Sequence, residues 1–527
     1  MCMLLDVHSL PDDPTELKQI LASLSSRYED KIQHLEEQVR LLRNEIFGRK
    51  SEKRPAPEDD RQQPLFDEAE GEASEETSQP PEPIPVAPHN RRKAGRKPLP
   101  DNLPRIEVIH DIAESQKQCA CGTMLSRIGE EVCEKLDIIP AKVQVIRHIR
   151  YKYACKGCEG IESETPTVQI APAPPQLIPK TMATAGLLAH IVVSKFEDAL
   201  PFHRQSKQLA RMGIDLPRAT LCNWARQAAE KALPLADLMD RAIREGPIVN
   251  IDETTVQVLQ EPGRAATQKS YMWIFRGGDP KRPVLRYQYH PTRAGSVPLA
   301  YLAGFKGYIQ TDGYNGYDAL GRQPGIVMVG CWAHARRKFH EVLQAAAPQV
   351  AQRKLAAEEA LEFIGRLYRI EKEARVKELS VPEIYELRQQ QAKPVLEEFK
   401  SWLEQKATLT PPGGLLGKAI GYTLNQWSRL IVYLQNGRLR PDNNLVENAI
   451  RPFVVGRKNW LFSGHPRGAA ASAFLYSLIE TAKANGLKPY LYMRHLFDQL
   501  PLAKTEEDSR NLLPPYMDAS RLNPAAA

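Results

Sequence analysis

Apolar residues recur at heptad spacing near the start of the chain. Between residues 14 and 47, with no Gly or Pro after Pro14, Ile32, Val39 and Ile46 share one heptad position, and Tyr28, Leu35 and Leu42 another. β-Branched residues at a with mostly leucine at d favour a parallel two-stranded coiled coil, and the same spacing fits an amphipathic helix docked on its own chain. The expectation drawn is a dimerisation helix over 14–47. Periodicity is then lost over 52–104, which predicts a disordered linker, acidic at first and basic at its end. Short strands around cysteine pairs are expected over 105–170 and helices over 180–243. From residue 247 the pattern turns to strands at 248–251, 270–275, 284–289, 308–311 and 326–329. Helical stripes return after Ala333, among them Phe363, Ile364, Leu367 and Ile370, then Ile420, Leu424, Trp427 and Ile431. The tail after Lys504 is polar and contains proline. A strand cluster set between helical stretches predicts a multidomain α/β protein.

Composition narrows this picture. The 527 residues, 42% hydrophobic and 26% charged, give room for about three to five folded units and exclude wholesale disorder. No run of 18 apolar residues occurs, so no membrane-spanning helix is expected, and the first residues lack the layout of a secretion signal. Eight cysteines are too few for a disulfide scaffold, and the clustering of four of them points to metal in a reducing cytoplasm. The net charge of +7 conceals an asymmetry. Residues 58–82 hold ten acids against Arg61, a local −9, so the remainder carries +16. A soluble chain with that excess is suited to polyanions.

Four cysteines stand in two pairs. Cys119 and Cys121 precede Cys155 and Cys158 by 33 intervening residues, with Gly122 and Gly157 supplying tight turns. Four thiolates from two knuckles hold a tetrahedral, structural Zn2+, and the alternation of Val143, Val145, Ile149 and Tyr151 suits a hairpin between them, a zinc ribbon. The first pair is C-x-C, tighter than usual, and Cys133, His110 and His148 are available as substitute ligands.

Two further segments suit DNA. Arg91–Pro98, with Arg96 and Lys97, is an extended basic stretch able to lie along a minor groove. The 203–212 helix, a turn at Gly213, and a helix from Pro217 form a helix-turn-helix pattern. Its second helix would expose Arg218, Thr220, Asn223 and Arg226 while Leu221 and Trp224 pack inward.

Asp252 follows one apolar strand and Asp312 another, and Glu447 lies on a short helical stretch with Arg451 one turn on. Three carboxylates on two strands and a helix are the oxygen set that two Mg2+ ions require for in-line phosphoryl transfer. Glu253 should point to the opposite face of its strand, and Asp442 suits a helix start.

The motifs now stand in a recognisable order. Arg96–Pro100, the cysteine knuckles, Asp252-Glu253-Thr254, Gln310–Tyr314, Cys331–Phe339, Glu447–Pro452 and Gly456–Phe462 follow one another over residues 15–500. In this the chain resembles the DDE transposases of the bacterial insertion-sequence 66 family. The resemblance implies an RNase H-like mixed-sheet core over 247–339 and 436–500. Asp252, Asp312 and Glu447 would be its ligands for Mg2+ or Mn2+, and a helical insertion would occupy 340–435. The ribbon at 105–170 and the helix-turn-helix domain at 180–243 would precede it, and residues 501–527 would form a tail. Arg336, Arg337, Lys338, Arg451, Arg457 and Lys458 are the candidate phosphate contacts near the acids. His334 suits a phosphate or an attacking hydroxyl, or equally a core position, and Trp460 and Phe462 suit core packing over base stacking. The implied activity is binding of terminal inverted repeats in double-stranded DNA, followed by metal-dependent cleavage and strand transfer into target DNA. A homodimer or higher oligomer, accessory proteins of the same element and a place beside the nucleoid are implied as well. Two rivals are a zinc-containing transcription regulator without catalysis and a scaffold for another enzyme.

Overall fold

The computed structural model describes residues 13–47, 143–154, 168–345 and 355–522. The linker with Arg96 and Lys97, and the four cysteines 119, 121, 155 and 158, lie outside the described residues. The chain divides into two units, Ser78–Ala171 and the remainder.

In the smaller unit β1 (Lys152–Ala154) pairs antiparallel with β2 (Val168–Ile170), Tyr153 lying opposite Gln169. The alternating stretch from Val143 to Tyr151 joins no ladder, and Val145 is 94% exposed. Alternation favours a strand where a second layer buries one face, and among the described residues that face is open.

The larger unit starts with α1 (Pro14–Phe47), one uninterrupted helix. Its polar side meets the body of the unit: Arg40 Nε donates to the Ala345 carbonyl at 2.9 Å, and the Leu415 amide donates to Glu37 at 3.4 Å. The heptad stripe stays outward, Tyr28, Ile32, Leu35, Val39 and Leu42 being 48–62% exposed.

Four helices precede the sheet: α2 (Ala185–Phe196), α3 (Phe202–Arg211), α4 (Arg218–Ala232) and α5 (Pro234–Glu245). Between α3 and α4 the backbone turns at Gly213 with φ +82°, which glycine adopts without strain. Leu221, Trp224, Ala225 and Ala228 of α4 and Met239 and Ile243 of α5 are buried in the same cluster as the strands that follow. Residues 180–243 therefore share one core with the sheet. The reason lies in α2, apolar at Leu187, Leu188, Ile191, Val192 and Val193 and so enclosed on most sides.

Strands form at each of the five places where the pattern indicated them. β3 (Ile248–Gln257), β4 (Lys269–Asp279), β5 (Arg282–His290), β6 (Gly307–Gln310) and β7 (Ile326–Val329) make a mixed sheet in the order β5-β4-β3-β6-β7. β3, β4 and β5 are an antiparallel meander, and β6 and β7 run parallel to β3. β3 extends beyond Ile251 because residues 253–257, polar except for buried Val256, still pair with β4.

The chain continues with α6 (Trp332–Ala345), and α7 (Ala356–Val376), α8 (Lys393–Leu409) and α9 (Leu415–Asn425) follow within 340–435, the stretch expected to be a helical insertion. They close a second core around Trp332, Phe339, Phe399 and Trp427, with the Trp332 and Trp427 rings edge-on at 5.8 Å. Arg388, 2% exposed, locks this core. It donates to both oxygens of Glu371 at 2.8 and 2.7 Å and to the carbonyls of Tyr433, Asn436 and Leu439 at 2.8, 3.0 and 2.8 Å. The insertion is thereby tied to the segment that leads into the last acid.

The chain then forms α10 (Asn444–Trp460), α11 (Pro466–Ala484) and α12 (Pro489–Gln499). α11 runs along the outer edge of β5 and satisfies its backbone. The Tyr287 amide donates to Ser477 Oγ at 2.8 Å, and the Leu285 amide donates to Thr481 Oγ1 at 3.0 Å. Thr481 donates to the Leu285 carbonyl at 3.1 Å, and Asn485 Nδ2 to the Pro283 carbonyl at 2.9 Å. Three polar residues at successive turns thus stand in for a neighbouring strand. The tail also packs: Glu506–Asn511 is helical, and Leu512 and Leu513 are buried, two leucines that its polar composition conceals. Among the described residues no helix is long and apolar enough to cross a membrane.

Candidate active site

Register places the first two acids. β3 and β6 are parallel with Asn250 opposite Gln310. Two residues further along each chain come Asp252 and Asp312, on the same face and side by side. Asp252 Oδ1 accepts from the Glu253 amide at 2.9 Å. Asp312 Oδ1 accepts from the Tyr314 amide at 2.9 Å, while its carbonyl accepts from the Tyr422 hydroxyl at 2.8 Å. Between them Gly313 has φ +84°, and a Cβ there would stand 3.1 Å from Tyr422 Oη.

The third acid enters from α10. Asp442 Oδ1 accepts from the Asn444 amide at 3.1 Å, an Asx-type turn leading into the helix, whose cap position is Asn443. One turn later Glu447, 4% exposed, sits among Cys331, His334 and Arg337. Its Oε1 lies 3.8 Å from Cys331 Sγ and 3.5 Å from His334 Nδ1, and its Oε2 lies 3.9 Å from the Arg337 guanidinium. Burial pushes Glu447 up to about 7, with Asp442 and Asp312 adding to the shift and Arg337 opposing it. Burial, then Glu447, Glu253 and Asp312, holds Asp252 well above the ordinary carboxylate range. The three carboxylates thus lie within one another's field. Such a cluster favours protonation or a bound cation, and its all-oxygen acids fit hard divalent ions. Burial and the nearby Arg337 lower His334 to about 4, so its imidazole is neutral at physiological pH.

Glu253 faces the other side of β3, where Arg293 and the Tyr317 hydroxyl hold it. Strand alternation accounts for this separation of neighbouring acids.

Beneath the acids lies a buried amide network. Asn250 Nδ2 donates to Gln310 Oε1 at 3.1 Å and to Asn443 Oδ1 at 3.0 Å. Asn443 Nδ2 donates to the Ile251 carbonyl at 2.9 Å, and Gln310 Nε2 to the carbonyls of Gly330 and Arg440 at 3.2 and 2.8 Å. The network ties β3, β6 and the start of α10 directly below the carboxylates. Sequence reasoning missed these residues. Their signal was an amide two positions before each aspartate, interrupting an otherwise apolar strand on the face of the acids.

The basic candidates separate. Arg336 is turned inward and only 7% exposed, so it is not a free phosphate contact: successive residues on a helix point about 100° apart. Arg337 is exposed, and Lys338 lies over the Tyr422 ring at 4.8 Å. Arg457 is committed to β3, bonding Thr254 Oγ1 and Thr255 Oγ1 at 3.1 and 3.0 Å and the Thr255 carbonyl, which ties α10 to the strand of Asp252. Arg451 is half-buried and Lys458 exposed. On α4, Arg218 and Asn223 are exposed, and Arg226 bonds Asn223 at 2.7 Å and pairs with Glu230. Trp460 packs edge-on to Phe453 at 5.4 Å, whereas Phe462 is exposed.

Residues 180–471 match the family model described as "Transposase IS66 family". Residues 116–159 match its zinc-finger binding domain, 34–108 a model described as "Transposase C of IS166 homeodomain", and 477–514 the IS66 C-terminal element. Two proteins of Sinorhizobium fredii are similar along much of their length. The uncharacterized protein y4jD is 35% identical over 429 residues, 79% of this chain and 81% of its own. The uncharacterized protein y4qI is 30% identical over 556 residues, 97% of this chain and 98% of its own.

Proposed function

The chain belongs to the IS66 transposase family, and from that membership we propose that it cleaves DNA at the terminal inverted repeats of an insertion sequence and transfers the ends to target DNA. The mixed five-stranded sheet with carboxylates on its two central parallel strands and on a later helix is read as an RNase H-like core, interrupted by the helical insertion. The observation that carries the proposal is the β3–β6 register, which sets Asp252 beside Asp312 with Glu447 in their field.

Asp252, Asp312 and Glu447 would hold two Mg2+ or Mn2+ ions, which supply activation of a water or 3′-hydroxyl and stabilisation of the leaving oxygen. The chain's own groups do the rest. The amide network holds the two strands and α10 at fixed separation. Exposed Arg337 and half-exposed Lys338, with Arg451 and Lys458, offer positive charge to the DNA backbone. Neutral His334 offers a ring nitrogen beside Glu447. Arg218 and Asn223 on α4, with Arg226 if it leaves Glu230, would contact the ends. Cys119, Cys121, Cys155 and Cys158 would hold a structural Zn2+, and Arg96 and Lys97, in the basic stretch before them, would lie along a minor groove. The open stripe of α1 would pair two copies and so two ends.

The test is incubation of the full chain with end-bearing duplex DNA and Mg2+ or Mn2+. Asp252→Asn and Asp312→Asn should each lower cleavage by more than the roughly 10–100-fold lost when a residue that only hydrogen-bonds a metal ligand is removed. Cleavage that persists in both variants overturns the assignment. A regulator without catalysis would leave the buried acids without a task.

A further inference from the structure

Cys331 has no part in the hydrolytic chemistry above, yet its thiol is aimed at the third acid. Cys331 Sγ, His334 Nδ1 and a Glu447 oxygen all lie within 4.8 Å of one another. Ideal tetrahedral bonds of about 2.3 Å to sulfur and about 2.0 Å to nitrogen and oxygen set ligand atoms about 3.3–3.5 Å apart. The observed 3.8 Å from sulfur to oxygen and 3.5 Å from nitrogen to oxygen are within a few tenths of that. His334 Nδ1 is buried without a hydrogen-bond partner. The sulfur accepts the Asn443 amide at 3.2 Å and the His334 backbone amide as well. Amides pointed at a sulfur are the outer-shell support that a metal-bound thiolate uses.

We propose that Cys331, His334 and Glu447 form a second metal site, selective for a thiophilic divalent ion such as Zn2+, which shares Glu447 with the catalytic site and turns catalysis off. Thiolate and imidazole select zinc over magnesium, which takes oxygen ligands. Binding forms bonds from the ion to Sγ, Nδ1 and Oε1, releases the Cys331 proton to solvent and leaves the fourth position for water. Arg337, 3.9 Å from Oε2, opposes a cation, and its side chain is 47% exposed, so solvent screens that opposition. Glu447 engaged in this way is withdrawn from the magnesium pair. The regulatory half of the inference rests on the assignment of Glu447 to that pair, whereas the binding half does not.

The experiment uses the full chain given a single equivalent of zinc, which the four-thiolate site takes in preference to the mixed Cys331, His334 and Glu447 site, then desalted and titrated with Co2+ as a spectroscopic probe. Wild type should take up one more equivalent than Cys331→Ala or His334→Ala, with a thiolate-to-cobalt charge-transfer band that both variants lack. Cysteines 119, 121, 155 and 158 are common to all three proteins, so their contribution cancels. His334→Ala keeps the buried thiol in place and guards against a Cys331→Ala chain that folds poorly. Equal uptake and equal spectra in the three proteins overturn the site, whatever the cleavage assay shows. In cleavage with Mg2+, the zinc concentration for half-inhibition, each variant measured against its own zinc-free rate, should rise at least about tenfold in His334→Ala. An unchanged half-inhibition overturns the regulatory role even if the extra equivalent is found.

Discussion

Replacing Glu447 by glutamine should stabilise the protein when no divalent ion is present. The carboxyl is buried and its pKa raised from 4.5 to about 7. A carboxyl raised on folding contributes stability that is complete below about pH 4.5 and is lost as pH rises through about 7. The gap, at about 1.4 kcal/mol per pH unit, amounts to about 3 kcal/mol by pH 8. Glutamine has nearly the shape of the protonated acid and never ionises, so Glu447→Gln avoids that loss. Asp252 is raised partly by Glu447, which adds in the same direction. Buried Glu480 is raised in the same way, but it is common to both proteins and cancels. The assay is urea unfolding of both proteins at pH 5 and pH 8, without a chelator so that cysteine-bound zinc is kept. The variant should match wild type near pH 5 and exceed it by about 3 kcal/mol at pH 8. Adding Mg2+ should reverse the order, because only the intact acid set gains from binding. A variant less stable than wild type at pH 8 without magnesium, or a difference equal at the two pH values, refutes the reasoning.

Three further outcomes follow from particular contacts. Arg337→Ala should flatten the dependence of log DNA affinity on log salt concentration by about 0.9 for its one phosphate, whereas buried Arg336→Ala should lower stability and leave that slope alone; fluorescence anisotropy over a salt series reads both. Arg388→Ala strands Glu371 and three carbonyls, at a cost of about 3–5 kcal/mol, while Arg388→Met with Glu371→Leu should recover in unfolding measurements only the part due to the unpaired Glu371 charge, the three carbonyls staying without a donor. Gly313→Ala, forced to φ +84° against Tyr422, should cost about 1–2 kcal/mol and cut cleavage by more than Gly263→Ala, at φ +71° with open space around it.

Much of the fold was legible because its strands are apolar runs between turn residues. Ile248, Val284, Tyr308 and Ile326 each lie within a short apolar run that became a strand. The helix-turn-helix spacing was legible from Gly213, but not its enclosure. α4 buries Leu221 and Trp224 against the same core as the sheet, and no local pattern reports which distant surface receives an apolar face. The amide network escaped notice because Asn250, Gln310 and Asn443 are remote in sequence and meaningful only together. Arg336 and Arg337 are adjacent letters with opposite surroundings, a difference set by helix phase against a neighbour 116 residues from Cys331. The heptad stripe of α1 was plain in the sequence, while its polar attachment through Arg40 and Glu37 depends on where residues 345 and 415 end up.

The hydroxyls of α11 that close β5 also set a timetable. Ser477 is made 190 residues after Tyr287. At synthesis rates of about 5–20 residues per second, β5 waits about 10–40 s for its cover. Throughout that interval the nascent chain presents an open strand edge with a finished apolar face, the template for pairing with another chain. Polysomes on one transcript bring such chains together in the same state. A truncation before residue 477 freezes the interval permanently, so a shortened product should aggregate even though Asp252, Asp312 and Glu447 have already been made.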